Sequence, residues 1–138
     1  MITPNTEELS CLAQSLLDND QSVEEVCKSL GHLTIIHKGC SDLISDGHTT
    51  ETCQVGGSPR RCGGQGDILS GILATLLHWS YSSHQTGQPV TAGWGACRIL
   101  RAASQQAYNV MGRATTASDI VNHIHSQFYK LFESETFC

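Results

Sequence analysis

Gly57-Ser58-Pro59-Arg60-Arg61-Cys62-Gly63-Gly64-Gln65-Gly66-Asp67 is the stretch that decides the fold of this chain. Its four glycines lead into an apolar run in which positions 68, 69, 72, 73, 76 and 77 share one face at helical spacing. We therefore predict a buried helix that begins near Asp67. A glycine-rich loop that ends at a helix start presents free backbone N–H groups, and the two arginines add guanidinium donors. The stretch is therefore suited to bind a phosphate.

Asp67 is the unusual member of this stretch. A carboxylate is a poor group for holding a phosphate, but it is a good base for a hydroxyl that is about to attack one. Alternatively, Asp67 caps the helix and the glycines form a tight turn. The pattern is neither the Rossmann G-x-G-x-x-G nor a P-loop, because no Lys-Ser/Thr pair follows the glycines. The residues alone leave both interpretations open.

Length and composition indicate one globular domain over residues 1–138. The chain has 39% hydrophobic and 15% charged residues, which is typical of a folded protein. The net charge of −5 arises in residues 1–30, which hold six acidic side chains and one basic side chain. We interpret the acidic side chains of this segment as a solvated helix face. Since no basic stripe is present, we expect no nucleic-acid partner.

The seven cysteines are odd in number and include no C-x-x-C pair. This argues against a structural zinc site and against a disulfide framework, and we predict no metal held by the protein. Reduced thiols favour a cytoplasmic protein, or a mitochondrial one in a longer form. The apolar runs are too short and too interrupted to span a bilayer, so we expect neither a signal peptide nor a membrane partner.

Five helices are predicted from capping signals and apolar periodicity. They begin at Asn5 or Thr6, after Ser22, near Asp67, at about Val90 and after Thr116. Glu8 and Asp119 complete the capping boxes of the first and last helices, and Gly31 and Gly112 end the second and fourth. The fourth helix carries small residues for close packing. The last helix carries an apolar stripe at Ile120, Val121, Ile124, Phe128, Leu131 and Phe132.

The remaining segments predict strands. Residues 33–37 are β-branched and apolar, as expected of a strand that is buried on both faces of a parallel sheet. Residues 43–45 and 49–53 flank Asp46-Gly47 and predict a hairpin. These elements indicate the carboxyl-terminal part of an α/β nucleotide fold. Since only one strand of parallel type is present, we expect the amino-terminal half of the domain to be missing.

With these motifs in view, the chain resembles the ATP-dependent NAD(P)H-hydrate dehydratase family of the ribokinase-like superfamily. The resemblance covers essentially the whole chain and implies the carboxyl-terminal half of that α/β fold, with one parallel-type strand, a hairpin and several packed helices. It rests on Thr3-Pro4-Asn5 with Glu8, Lys38-Gly39 with Asp42, residues 60–67 followed by Leu69-Ser70-Gly71, and residues 113–119.

The resemblance implies repair of NADHX and NADPHX, the hydrated forms of NADH and NADPH, driven by ATP as co-substrate. Asp67 would take the proton from the ring hydroxyl as the hydroxyl attacks the γ-phosphate, and loss of phosphate would restore NAD(P)H. Residues 63–66 would stabilise the transferred phosphoryl group, as an oxyanion hole does. Mg²⁺ would be held mainly by the nucleotide.

The resemblance also implies which residues contact each ligand. The ATP-contacting residues would be Lys38, Gly39, Cys40, Ser41, Asp42, Gly57, Ser58, Pro59, Arg60, Arg61, Cys62, Gly63, Gly64, Gln65 and Gly66. The hydrate-contacting residues would be Asn5, Thr6, Glu7, Glu8, Leu9, Ser10, Cys11 and Asp67. Without the family, Lys38 is a solvated residue at a strand end, Asp42 caps a turn, and Arg113 is a charge at a helix end.

Two departures from the family pattern leave other interpretations open. Cys40-Ser41 stands where family members often carry charged side chains, and the family domain is considerably longer than this chain. A small-molecule kinase of the same superfamily is one alternative. The other is an inactive remnant that binds nucleotide or forms a homo-oligomer such as a dimer, since a truncated sheet exposes unpaired strand edges.

Overall fold

The computed structural model describes residues 1–17, 22–83 and 87–134, and within these ranges helices pack on both sides of a small sheet. The α-helices are α1 Thr6–Leu16, α2 Val23–Ser29, α3 Gln65–Ser82, α4 Pro89–Met111 and α5 Ala117–Phe128. A 3₁₀ turn at Gly112–Ala114 follows α4, and a π-helical turn at Tyr129–Glu133 follows α5.

All five predicted helices are confirmed, and the capping boxes form as expected. The Glu8 N–H donates to Asn5 Oδ1 over 2.9 Å, and the Asn5 N–H donates to Glu8 Oε2 over 2.8 Å. Thr116 and Asp119 form the same reciprocal pair at the start of α5. These side chains satisfy backbone donors that a helix start leaves open, so the local sequence fixes both boundaries.

The sheet contains β1 Ile35–His37, β2 Asp42–Ser45 and β3 Thr50–Cys53, in that order and all antiparallel. The predicted hairpin between β2 and β3 is confirmed. In its turn, Asp46 Oδ1 accepts the N–H groups of His48 and Thr49, both at 2.8 Å. Gly47 has φ of +85°, the left-handed conformation that favours glycine.

The predicted parallel strand at residues 33–37 is only partly correct. Its ordered part is Ile35–His37, and its neighbour among the strands is antiparallel. Parallel pairing does occur on its other side, where Ile2 bridges to Ile35. The Ile36 N–H donates to the Ile2 carbonyl over 2.9 Å, and the Ile2 N–H donates to the Thr34 carbonyl over 3.1 Å. The extended amino-terminal segment around Ile2 thus pairs with β1.

The core lies on the two faces of this sheet because alternate side chains of β1 point in opposite directions. Ile35 packs with α1 and α2, whereas Ile36 and Ile44 pack with α3 and α4. Helix α4 approaches closely, since a Cβ at Gly93 would lie 2.9 Å from Ile44 Cγ2. The alanines predicted for close packing on α4 (Ala92, Ala96, Ala103 and Ala107) are all buried.

The predicted buried helix after the glycine loop is present as α3, but it is buried only in part. Of the six apolar positions on one face of α3, only Leu69 and Leu73 are buried, and the other four are partly exposed. The stripe on the last helix is also only partly covered, since Val121 is 52% exposed and Phe132 is 45% exposed. Periodicity identified these faces correctly, but it does not show how much of a face another element covers.

Two further features bear on the expectations from composition. In the described parts of the chain, no helix is both long and apolar enough to cross a membrane. The six cysteines that lie in those parts are free thiols, and Cys27, Cys53 and Cys97 are buried. Burial raises the pKa of each of these three thiols, because an apolar surrounding disfavours the thiolate.

Candidate functional site

A cleft of about 670 Å³ opens where the loop after β1, the loop after β3, and helices α3 and α4 meet. The loop after β1 and the start of β2 contribute Lys38, Gly39, Cys40 and Asp42. The loop after β3 contributes Gly56, Gly57, Ser58, Pro59, Arg61 and Cys62. The helices contribute Gln65, Gly66, Leu69, Leu100, Arg101 and Ser104, and Asn5 lies at the edge.

The cleft brings together most of the residues that the resemblance assigns to ATP. Ser41, Arg60, Gly63 and Gly64 belong to the same loops but do not line it. Arg60 is exposed, and its N–H donates to Ser58 Oγ over 3.0 Å. Gly64 has φ of +90° and is the N-cap of α3, which explains why the helix begins at Gln65. The segments 38–42 and 57–66, which are far apart in the sequence, therefore contribute to one cleft.

Asp42 has a larger role than a turn cap. Its carboxylate accepts the Gly39 N–H over 3.1 Å, and its other oxygen lies 3.2 Å from Arg101 Nη1. Both side chains of this ion pair are only 12% exposed. The pair therefore fixes the turn between β1 and β2 against the middle of α4.

Arg101 is the residue that the sequence interpretation missed. Its Nη2 donates to the carbonyls of Cys40 and Gly56, over 2.6 and 3.1 Å, and so contacts both loops. Its Nε is buried and has no hydrogen-bond partner among the described residues. No local pattern pointed to this role, because Arg101 lies with Arg98 among the small residues of α4, which were interpreted as packing residues.

Gly56 and Gly57 adopt backbone conformations that bring the second loop onto α4. Their φ values are +77° and +107°, and the Gly57 N–H donates to the Arg101 carbonyl over 3.1 Å. A Cβ at Gly57 would lie 3.0 Å from Arg101 Nη2. A side chain there would be strained and would crowd the guanidinium, so these glycines permit a close approach.

Asp67 lies in the first turn of α3 and is exposed. It does not line the cleft itself, but the adjacent Gly66 does. The N-cap of α3 is Gly64, and no side chain makes a capping hydrogen bond to the helix, so the alternative role of Asp67 as a cap is not seen. Its carboxylate is left available at the positive end of the helix dipole, beside the glycine loop.

The predicted hydrate-contacting segment lies partly at the cleft. Asn5 lines it, whereas Leu9 is buried in the core with Ala13 and Ile35. The others do not line the cleft: Thr6, Glu7, Glu8 and Cys11 are exposed and Ser10 is half-buried. Arg113 is exposed in the 3₁₀ turn after α4 and lies outside the cleft.

The charges around the cleft favour an anion. Asp42 and Arg101 neutralise each other, which leaves Lys38 and Arg61 as the other two charged residues of the lining. Within the described ranges, neither of these takes part in a salt bridge. The backbone N–H groups at the start of α3 add to their positive field. An anionic ligand of small-molecule size is therefore suited to this cleft.

Comparison with known proteins extends this description. A family model described as NAD(P)H-hydrate dehydratase matches residues 1–126. The protein named ATP-dependent (S)-NAD(P)H-hydrate dehydratase in Danio rerio is 40% identical over 146 residues, which cover 97% of this chain and 44% of that protein. Its namesake in Homo sapiens is 37% identical over 146 residues, covering 97% and 42%. This chain spans less than half the length of these relatives.

Solved structures agree on the fold. A hydroxyethylthiazole kinase from Pyrococcus horikoshii superposes with a TM-score of 0.69 at 18% identity, over 94% of this chain and 49% of that one. A hypothetical protein from Streptococcus mutans gives 0.61 at 20% identity, over 91% and 46%. At these identities the likeness shows the ribokinase-like fold alone. The family model, in contrast, matches the sequence over residues 1–126, and the chain therefore belongs to the NAD(P)H-hydrate dehydratase family.

Proposed function

We propose that this chain carries the ATP site and the catalytic carboxylate of an ATP-dependent dehydratase that acts on the hydrated forms of NADH and NADPH. One observation carries the proposal. A cationic cleft formed by two loops ends at the amino terminus of α3, where Asp67 is exposed beside Gly66. The family relationship and the names of the relatives support the same activity.

ATP would bind in the cleft with its phosphates toward the glycine loop. Lys38 and Arg61 would neutralise part of the phosphate charge, and the free N–H groups at the start of α3 would face the γ-phosphate. Ser41, Arg60, Gly63 and Gly64 would contact ATP from the same loops after small local movements. Such donors stabilise charge on a phosphoryl group in transit most strongly when they are fixed in place beforehand.

The hydrate would approach from the side of Asp67 and the start of α1, where Asn5 lies at the cleft edge. The Asp67 carboxylate would accept the proton of the ring hydroxyl as the hydroxyl oxygen attacks the γ-phosphorus, and the bond to the β-phosphate oxygen would break to release ADP. The phosphorylated ring would then lose phosphate together with a proton from the neighbouring ring carbon, which restores the double bond of NAD(P)H. Phosphate leaves more easily than hydroxide, so ATP drives the dehydration.

Mg²⁺ would enter the cleft with the nucleotide. Within the described residues, no group of three or more His, Cys, Asp or Glu side chains could hold a metal ion. The carboxylate that lines the cleft, Asp42, is already paired with Arg101. Mg²⁺ commonly keeps several waters and binds through substrate phosphates, whose charge it partly neutralises.

The protein would act in a reducing compartment such as the cytoplasm, since the described cysteines are free thiols. Two of them, Cys40 and Cys62, line the cleft. Oxidation of either thiol would place a charged group or an adduct where ATP is expected to bind.

The test is restoration of NADH from its hydrate by the 138-residue chain, and by a chimera in which this chain replaces the matching 44% of the Danio rerio protein. We expect NADH and free phosphate to appear together only when ATP and Mg²⁺ are supplied. A stable phosphorylated product without free phosphate would instead indicate a kinase. If the chimera bound ATP but released neither product, the inactive-remnant interpretation would replace the proposal.

A further inference from the structure

We propose that Arg101 is the positioning residue of the nucleotide cleft: from the middle of α4 it holds the loop after β1 and the loop after β3 at the separation that a nucleotide requires. The inference rests on the proposed function only in taking ATP as the ligand. It assigns a role to a helix residue that lies outside both loop motifs.

The guanidinium of Arg101 makes two contacts with the first loop. Arg101 Nη2 donates to the Cys40 carbonyl over 2.6 Å, and Nη1 lies 3.2 Å from Asp42 Oδ2. Asp42 in turn accepts the Gly39 N–H over 3.1 Å. The guanidinium therefore acts on residues 39–42 both directly and through the carboxylate, and Lys38 precedes this segment.

The contacts to the second loop come from both the side chain and the backbone of Arg101. Nη2 donates to the Gly56 carbonyl over 3.1 Å, while the Arg101 carbonyl accepts the Gly57 N–H over 3.1 Å. Gly56 and Gly57 keep their positive φ values where they cross the arginine. The loop that leads to Arg61 is therefore shaped against this one side chain.

A contact with the nucleotide is not the role that this geometry favours. Nη2 is occupied by two carbonyls, the charge is neutralised by Asp42, and the side chain is 12% exposed. Lys38 and Arg61 are the lining cations left to meet phosphate. Arg101 would thus act through the loops, which distinguishes a positioning residue from a ligand-binding one.

The planar fork of arginine explains why lysine would not substitute. Three oxygens on two segments must be reached at once, and two nitrogens in a fixed plane do this where a single ammonium does not. Arg101→Lys keeps the positive charge beside Asp42, so it tests geometry apart from charge. Arg98→Met is the matched control, because Arg98 lies on the same helix and does not line the cleft.

The experiment measures ATP binding by calorimetry and amide hydrogen exchange on the unmodified chain, Arg101→Lys, Arg101→Met and Arg98→Met. We expect both Arg101 variants to weaken ATP binding by roughly 10- to 100-fold, the range for residues that orient a site, and Arg98→Met to change it less than about twofold. Without ATP, exchange at the Gly39 and Gly57 amides should rise in the Arg101 variants, while exchange in α5 should stay unchanged.

Several results would overturn the inference. These are ATP affinity of Arg101→Lys within about twofold of the unmodified chain, exchange that rises equally in α5, or loss of folding in both Arg101 variants. An unmodified chain that does not bind ATP would overturn it as well. If ATP binding and loop exchange respond as expected but no hydrate is converted, the proposed function fails while the role of Arg101 stands.

Discussion

Asp42 and Arg101 are 59 positions apart in the sequence, and their carboxylate and guanidinium lie 3.2 Å apart in the wall of the cleft. Both side chains are 12% exposed, so the ion pair is largely withdrawn from water. Removing one partner of such a pair leaves the other charge uncompensated, which costs more than the loss of an exposed ion pair. This contact therefore contributes both to the stability of the fold and to the structure of the cleft.

Replacing either partner should destabilise the fold. We expect Arg101→Met or Asp42→Asn to lower the free energy of unfolding by about 3 kcal/mol, and the double variant to show a coupling energy of about 1–3 kcal/mol. Urea unfolding of the four proteins gives this double-mutant cycle. The exposed pair Lys28–Glu25 provides the comparison, with an expected coupling below about 1 kcal/mol. Equal coupling energies for the two pairs would contradict the burial argument.

Gly57 should be intolerant of a side chain. Gly57→Ala places a Cβ 3.0 Å from Arg101 Nη2 at a φ of +107°, so we expect a loss of roughly 1–3 kcal/mol of stability and weaker ATP binding. Gly71→Ala is the matched control, because a Cβ there meets no atom within 4 Å and lies within α3. That variant should be stabilised by up to about 1 kcal/mol. Two variants of equal stability would show that the second loop does not depend on Gly57.

ATP should protect the thiols of the cleft from alkylation. Cys40 is exposed and lines the cleft, whereas Cys11 is exposed and lies outside the lining. We expect bound ATP to slow iodoacetamide labelling of Cys40 and Cys62, and to leave Cys11 unchanged. Cys27, Cys53 and Cys97 should react only after unfolding, because burial raises the pKa of each thiol.

Mass spectrometry of the labelled peptides assigns each modified cysteine. Protection of Cys11 to the same degree as Cys40 would indicate a global effect of ATP. Unchanged labelling of Cys40 and Cys62 at saturating ATP would show that the nucleotide binds elsewhere.

The hairpin turn should lose stability in acid. Hydrogen bonds from the Thr49 and His48 N–H groups hold the pKa of Asp46 below its ordinary value of 3.8. A group with a lowered folded pKa contributes stability above its unfolded pKa, and that contribution disappears as the pH falls through the folded pKa. At neutral pH, Asp46→Ala should lower the free energy of unfolding by about 1 kcal/mol. The effect is modest because the site is partly exposed.

Urea unfolding of Asp46→Ala and the unmodified chain at several pH values measures this difference. We expect it to be constant from about pH 7 to pH 5 and to shrink below about pH 4. Asp46→Asn separates charge from hydrogen bonding, because its amide oxygen still accepts while it no longer titrates. A difference between Asp46→Ala and the unmodified chain that persists unchanged into acid would exclude the ionised carboxylate as its cause.

Features that depend on neighbours in sequence were predictable. The capping side chains Asn5 and Thr116 set helix starts through contacts three residues away. In the turn at Asp46-Gly47, the Asp46 side chain accepts the N–H groups of the two residues that follow Gly47. The loop after β3 could be identified because glycines and cations crowd into a short stretch, whereas the loop after β1 was identified through the family resemblance. These patterns report local backbone geometry, which each segment retains once packed.

Features that depend on distant segments were not predictable in the same way. Arg101 has no local signal, since its three acceptors come from residues 40, 42 and 56. The extent of burial of α3 depends on how much of its surface α4 and α5 cover. The parallel bridge between Ile2 and Ile35 likewise joins segments that periodicity treats separately. The roles of Asp67 and of the residues around Asn5 stay predictions.

The central claim is that the Asp67 carboxylate takes the proton of the ring hydroxyl, and Asp67→Asn tests it most directly. The amide keeps the shape of the side chain but is no base. We expect the ATP dissociation constant to change by less than about threefold, while turnover of the hydrate in the chimera falls by about 10²- to 10⁴-fold. Glu51→Gln, an exposed change on β3 outside the cleft lining, should leave both quantities unchanged. Turnover of Asp67→Asn within a few-fold of the unmodified protein would contradict the account.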